Sequence, residues 1–386
     1  MTRLSLVQID CVADLRAAAP AWDDLWWRSD ATLPTLRAEL LAQWIEQFAP
    51  RADFRALVVV DQGQWVAALP LVRRAVARLF PAGTLPANQW SSSGDLLLDA
   101  DARTDAVLDL LVSAVRELPW PLLWLDAAAL DAPRWLALHQ ALLRAGIKSE
   151  RRVHYQVARI KIGHDWQAYR QSWSRKHRQK MSWSVRHLEQ QGGLQLESLP
   201  DLPPERVEPW LQRGFEVEDR GWKGREGTSV LRTPRMFPFL VRQARQLAHW
   251  GQLELEFLQC AGRPIAFAYG MGAKGVFHSC KIGYDPEYAA YSPGQLLRYF
   301  MLERFHGDPQ RCWLDCQGPL SDAHAAWRPE GYPIGRLMVA PRRLLGRALL
   351  CAYRYLWSPM RRLCGRGDSL QERDLDGEPR YAASLR

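Results

Sequence analysis

Nowhere in the 386 residues does an apolar run approach the roughly 18 residues that a membrane-spanning helix requires. The opening MTRLSLVQIDCVADL lacks the charged head and long apolar middle of a signal peptide, so a cytoplasmic protein is expected. Seven cysteines, at 11, 260, 280, 312, 316, 351 and 364, form no CxxC pair, which argues against structural zinc and against a disulfide framework; no metal is expected. A Gly-x-Ser-x-Gly elbow is missing, and no cysteine stands out as a nucleophile. Acids are missing from two long stretches. Residues 170–187 carry six Arg or Lys, two His and no acid, and residues 331–367 carry eight Arg and no acid.

With 47% apolar and 24% charged residues, the chain suits two soluble domains with ordinary cores. Its net charge of +9 points to anionic company. The stretch 170–187 reads as a surface helix whose narrow apolar stripe is Trp173, Met181, Val185 and Leu188; its basic side is either a solvated face or an anion-binding one. Neither basic stretch has the pattern of a nucleic-acid module, and nucleic acid is not an expected partner. Residues 341–364 interleave Arg with Leu, Tyr and Trp, which suits either peripheral contact with an anionic membrane or packing onto the folded body. The polar tail from Arg366 has little to bury.

Periodicity gives the second half the order β-α-α-β-β-β-α-β. A strand at 194–199 precedes helices at 203–218 and 234–249. Then LELEFLQ (253–259), IAFAYGM (265–271) and VFHSCKIGY (276–284) form a meander, followed by a helix from Ser292 and a short strand at 312–316. The last strand is expected to pair in parallel across that helix. The first 162 residues repeat nearly the same string, with strands LSLVQI, FRALVVV, QWVAALPLV, SGDLLL and PLLWLDA and helices at 13–27, 35–48 and 101–118. The expected fold class is therefore α/β, a mixed sheet with helices on its faces, duplicated in one chain. Expected domains are 1–162, 163–340 and a basic amphipathic helix with tail at 341–386.

The turn into the last helix is the most chemical feature. Ser292 suits the N-cap, Pro293 the first helical position and Gln295 the capping-box position. Gly294 lets a ligand approach amides that carry partial positive charge. A pyrophosphate fits such a turn; a well-capped core helix facing water is the plainer alternative. In the first copy the corresponding loop, LDADARTDA, is acidic and would repel phosphate.

The strand order, with WKGREGT at 222–228, GRPIAFAYG at 262–270, KIGYDPEYAAYSPGQLL at 281–297 and the basic helix ahead of the repeat, resembles the CelD-like acetyltransferase family. That family belongs to the GNAT acyltransferases, accompanies bacterial cellulose and exopolysaccharide gene clusters, and is related to the FemAB-type proteins with paired GNAT domains. The resemblance covers about 170–340 well and the first half more loosely. It implies tandem GNAT-like domains and an acyl-CoA, such as acetyl-CoA, as donor, with an amine or hydroxyl of a sugar or cell-envelope precursor as acceptor. It places Ser292, Gly294 and Gln295 on the cofactor-phosphate turn. Lys281, Ile282, Tyr284 and Tyr291 flank the donor, and Trp222, Lys223 and Arg225 border the acceptor groove.

For the general base the candidates are Asp315, His278, Asp285 and His324. Asp315 is preferred for its place at a strand end. His278 is either a base or a structural histidine, Asp285 either a base or the cap of its own turn, and His324 titrates in the right range. Many relatives carry a Tyr-Lys pair where this chain has Ala323-His324. Two other functions stay open: an aminoacyl-tRNA-dependent transferase of FemAB type, and a non-catalytic adaptor of a polysaccharide synthase or export complex.

Overall fold

The computed structural model describes residues 4–76, 80–341 and 345–352. In chain order the first half holds β1 (Leu4–Ile9), α1 (Val12–Ala17), α2 (Ala19–Arg28), α3 (Ala38–Phe48), β2 (Phe54–Asp61), β3 (Gln64–Val76), β4 (Phe80–Thr84), β5 (Leu97–Leu98), α4 (Asp105–Glu117), β6 (Leu122–Ala129), α5 (Pro133–Arg144) and β7 (Lys148–Lys161). The second holds α6 (Trp166–Gln171), α7 (Arg175–Gln190), β8 (Leu194–Leu199), α8 (Val207–Arg220), α9 (Trp222–Arg225), α10 (Met236–His249), β9 (Leu253–Cys260), β10 (Arg263–Ala273), β11 (Val276–Tyr284), α11 (Pro293–His306), β12 (Trp313–Pro319), α12 (Asp322–Ala325), β13 (Glu330–Ala340) and α13 (Leu345–Ala352). The expected order is present in the second half; in the first, the expected SGDLLL strand is only the two-residue β5 paired with β3, and the sheet position after β3 is taken by the unexpected β4. No described helix is long and apolar enough to cross a membrane. Most of the basic segment 341–364, and the tail from Arg366, lie outside the described residues.

The chain divides into two compact units, one of residues 1–31, 35–155 and 333–386, the other of 32–34 and 156–332. Both main crossings fall inside strands, β7 and β13, so the units meet neither the expected boundary at 162 nor that at 340. Neither strand is legible from the sequence. KSERRVHYQVARIK puts charge on residues of both parities, which hides any alternation, and EGYPIGRLMVA opens on Gly and Pro.

In the first unit the strands run β1-β2-β3-β4-β6-β13. The β2–β3 hairpin closes through Gln62 and Gly63, both at positive φ (49° and 88°), as a tight two-residue turn demands. Leu57, Val59 and Leu69 of that hairpin pack with Leu108, Leu111 and Val112 of α4 and with Trp135 and Leu138 of α5.

In the second unit the C-terminal part of β7 is followed by β12-β11-β10-β9-β8. All neighbours are antiparallel except β11 and β12, which α11 joins as a parallel crossover, as expected. On one face α11 buries Leu296, Leu297, Met301 and Phe305 against Ala266, Ala268 and Phe277. On the other, α8 presses Phe215 edge-on against Phe267 of β10 at 5.5 Å. Two glycines permit this approach: a Cβ on Gly214 would stand 2.4 Å from the Phe267 ring, and one on Gly283 would stand 2.6 Å from Glu218 Cα.

The same face holds a buried ion pair. Lys223 Nζ donates to Glu218 Oε1 at 2.5 Å and to the Ile282 carbonyl at 3.3 Å, and the Val230 amide donates to Glu218 Oε2 at 3.1 Å. The expectation that Lys223 borders an acceptor groove is corrected here, since its amine is committed to binding α8, α9 and β11 together. Lys281 pairs in register with Tyr269, whose ring contacts Phe215, and so projects to this face too. Burial, then repulsion from Lys223, pushes its amine down to about 8.

Two expectations follow for denaturation experiments. Gly214→Ala gains roughly 1 kcal/mol of helix propensity but overpacks against Phe267 at a cost of about 1–3 kcal/mol, so the variant should unfold at lower urea concentration than the parent. Lys281 in the fold releases its proton at about 8, below its unfolded value of 10.5, so the folded state disfavours the charged amine. That penalty is complete below pH 8 and lifts as pH rises toward 10.5. Lys281→Met should therefore be more stable than the parent at pH 7, and the gap should narrow steadily between pH 8 and pH 10; a gap independent of pH would refute this account.

Candidate active site

Strands β11 and β12 stay together for three residue pairs only, Val276, Phe277 and His278 opposite Trp313, Leu314 and Asp315. Beyond them each keeps its outer neighbour and the two part. On β11, Tyr269 opposes Lys281 while Gly270 opposes Ser279, which makes Cys280 the extra residue of a bulge. On β12, Asp315 Oδ1 accepts the Gln317 amide at 2.8 Å and Gln317 adopts a left-handed φ of 51°. The next registered contact of β12 is Pro319 with Val157 of β7. A wedge opens whose β11 side is the inner edge of residues 279–284.

Above the wedge a 3₁₀ turn, Pro286–Tyr291, leads into α11. Asp285 starts this turn: its Oδ1 accepts the Glu287 amide at 3.1 Å, and its Oδ2 pairs with Arg263 at 2.7 Å and Arg220 at 3.1 Å. Of its two readings the structure selects the cap, and Asp285 is withdrawn as a catalytic candidate. The capping box is also corrected. Ser292 stands at the N-cap position but in the left-handed region (φ 54°, ψ 57°), where its hydroxyl makes no cap hydrogen bond. Gln295 Oε1 accepts instead from Trp327 Nε1 at 2.6 Å. Pro293 has no N–H, and the amides of Gln295 and Leu296 both return to the Ser292 carbonyl at 2.9 and 3.1 Å. The first-turn amide with no acceptor inside the helix is that of Gly294. A Cβ built there meets only Tyr284 Cδ1, at 3.9 Å, so the glycine faces open space.

The expected donor-side residues divide. Ile282 and Tyr284 are 52% and 42% exposed, and their register partners Ala268 and Ala266 lie in the α11 core, so both project to the α11 face beside Gly294. Tyr291 stacks on Trp183 of α7 (5.6 Å, 22°) and accepts from Gln191 Nε2 at 2.8 Å, tying α7 to the approach of α11. Lys281 points to the opposite face. Trp222 is half-buried in the single turn of α9, and Arg225 beside it is exposed.

Where the strands separate, His278 and Asp315 sit side by side, both buried. Gln317 Nε2 lies 3.0 Å from His278 Nδ1, and Tyr332 donates to Asp315 Oδ2 at 2.7 Å. His278 Nε2 is buried and makes no hydrogen bond of good geometry, although the Thr32 backbone lies close enough to favour the protonated ring. Burial holds the imidazole below the ordinary histidine range, against the opposing pull of Asp315, so the ring is neutral at pH 7. Both Asp315 oxygens already accept, which suits anchoring better than proton abstraction. His324 lies elsewhere: its Nδ1 is 3.0 Å from Ser321 Oγ, and burial followed by Arg298 pushes it down to about 4. Gln317 and Tyr332 are cluster members that sequence reasoning missed. A strand end carrying Asp-x-Gln could have drawn attention to the first; nothing in EGYPIG marks the second. Among the described residues no group of His, Cys, Asp and Glu could hold a metal ion.

Residues 175–313 match the acetyltransferase (GNAT) domain family. No curated protein matches the chain. Solved structures are similar across most of its length. FemX aligns with a TM-score of 0.59 at 12% identity, over 91% of this chain and 99% of that one. The C-terminal domain of a putative lysylphosphatidylglycerol synthetase from Agrobacterium fabrum aligns with a TM-score of 0.51 at 12% identity, over 88% and 96%. At such identities the likeness is one of fold, and it extends to both units. Residues 175–313 thus match the acetyltransferase (GNAT) domain family where the strands part and the crossover helix lies, within a mixed α/β chain that shares the fold of FemX.

Proposed function

We propose that the protein is an acyltransferase that moves an acyl group from acyl-CoA to an amine or hydroxyl of a sugar or cell-envelope precursor, using the wedge between β11 and β12. The observation that carries this reading is the parting of the two strands directly below an α11 start whose Gly294 faces open space. The residues present fit the donor. Gly294 leaves room for a pyrophosphate at the positive end of the helix, and the exposed Ile282 and Tyr284 supply apolar surface for the arm that follows. When bound, the thioester supplies an activated acyl carbonyl.

The chain's own residues do the rest. The inner edge of β11 around the Cys280 bulge offers backbone donors toward the wedge, where charge builds on the acyl oxygen. His278, neutral at pH 7, takes the acceptor's proton at Nε2 in the tautomer that carries its own proton on Nδ1, which requires the Gln317 side-chain amide, whose Nε2 lies 3.0 Å from Nδ1, to turn its oxygen toward the ring. Asp315 positions Gln317 through its backbone and Tyr332 through its hydroxyl. The glycan or envelope acceptor comes from the CelD-like resemblance.

Calorimetry should give CoA binding in the micromolar range, about −8 kcal/mol, and Gly294→Asp should abolish it, because a carboxylate would occupy the phosphate position while the open space spares the fold. Absence of CoA binding, together with salt-sensitive binding of aminoacyl-tRNA, would transfer the donor role to the RNA ester. His278→Ala should lower kcat by about 10²–10⁴ and leave CoA affinity unchanged; an unaltered kcat would remove His278 from the reaction.

A further inference from the structure

Helices α6 and α7 flank an open surface cleft of about 380 Å³ lined by residues that include Gln167, Arg170, Gln171, Arg178, Ser182 and Arg186. Its volume falls in the range of small-molecule sites, and its lining includes no residue of the α11 start, although Arg170 lies over the Tyr299 ring of α11 at 5.9 Å. On α7, Trp183 and His187 turn toward Tyr291, whereas Arg178, Ser182 and Arg186 line the cleft. The guanidinium groups are held in place by neutral partners. Arg178 donates to the carbonyls of Gln171 and Trp173, Arg186 Nε to the Ser182 carbonyl at 3.3 Å, and Arg170 to Ser182 Oγ at 3.5 Å. No acid occurs between 170 and 187, and among the described residues no ion pair reaches Arg170, Arg178 or Arg186. Three converging cations with amide and hydroxyl groups between them lack only an anion.

From this arrangement we infer a second ligand site, for a soluble molecule carrying a phosphate or diphosphate. Arginine forks match phosphate oxygens in paired hydrogen bonds, and the Gln and Ser side chains supply further donors. Single-stranded nucleic acid would need aromatic platforms for its bases, and among the described residues no aromatic side chain lines the cleft. A helix that lies on a membrane turns its apolar face to the lipid, but α7 buries Met181 and Leu188 in the unit's own core. The site does not depend on how the wedge at β11 and β12 is used.

The test is calorimetric titration of inorganic pyrophosphate into the full-length Gly294→Asp protein, in which the α11 start is blocked. Binding should persist there, and Arg186→Glu and Ser182→Glu, each added to Gly294→Asp, should weaken it about tenfold or more, as expected for losing one charge-assisted hydrogen bond. Arg186 is exposed, so its replacement should leave the melting temperature unchanged, which a thermal scan checks. No heat with pyrophosphate, or binding that neither variant weakens, overturns the proposal. Binding to phosphatidylglycerol vesicles that Arg186→Glu abolishes, with no heat from pyrophosphate, overturns it in favour of a lipid headgroup. Because CoA binding is read on the Gly294 parent, failure of either reading leaves the other standing.

Discussion

The architecture of the second unit turns on one constraint: β11 and β12 are hydrogen-bonded as a parallel pair for three residues and then cannot continue. A bulge at Cys280 bends one strand, and the Asp315 carboxylate, by capturing the Gln317 amide, bends the other. Each strand stays fixed by its far neighbour, β10 or β7, so the gap does not collapse into loop. Backbone polar groups that a sheet would otherwise satisfy are left facing a space, and such groups must find a partner. A wedge held open by two rigid edges is a preorganised place for a ligand.

The two copies of the motif differ at the helix that follows the meander. In the first, α4 is closed by its own Thr104, whose hydroxyl accepts the Val107 amide, with Asp105 adding negative charge in the first turn. In the second, the left-handed backbone of Ser292 keeps its hydroxyl from doing the same. A residue with a Cβ adopts that conformation at some cost. The neighbouring bonds, Gln295 to Trp327 and the paired amides on the Ser292 carbonyl, over-determine it.

Sequence periodicity located β1, β8 and β11 to the residue, because their apolar residues and turns leave no rival reading. It missed β7 and β13, whose charges and glycines obscure the alternation, although their backbones complete sheets. At the site, Gly294, Ile282 and Tyr284 were legible because the position of a glycine after Ser-Pro, and of side chains at a strand end, follows from local rules. Asp285, Lys223 and Gln295 were misread for one reason. Each has a partner distant in sequence, namely Arg220 and Arg263, Glu218, and Trp327, and a polar side chain looks available until its partner is known. The His278–Gln317 and Asp315–Tyr332 contacts were out of reach for the same reason.

The return of the chain through β13 bears on how the protein is made. Ile334 to Val339 pair with Ala129 to Leu123 of β6, so a unit built mostly from residues 35–155 takes a strand from beyond residue 330. Until that late segment emerges, β6 presents an apolar edge with no companion, a surface open to mispairing with another nascent chain. The first unit is begun before the second and completed after it, so the second unit is synthesised inside that delay.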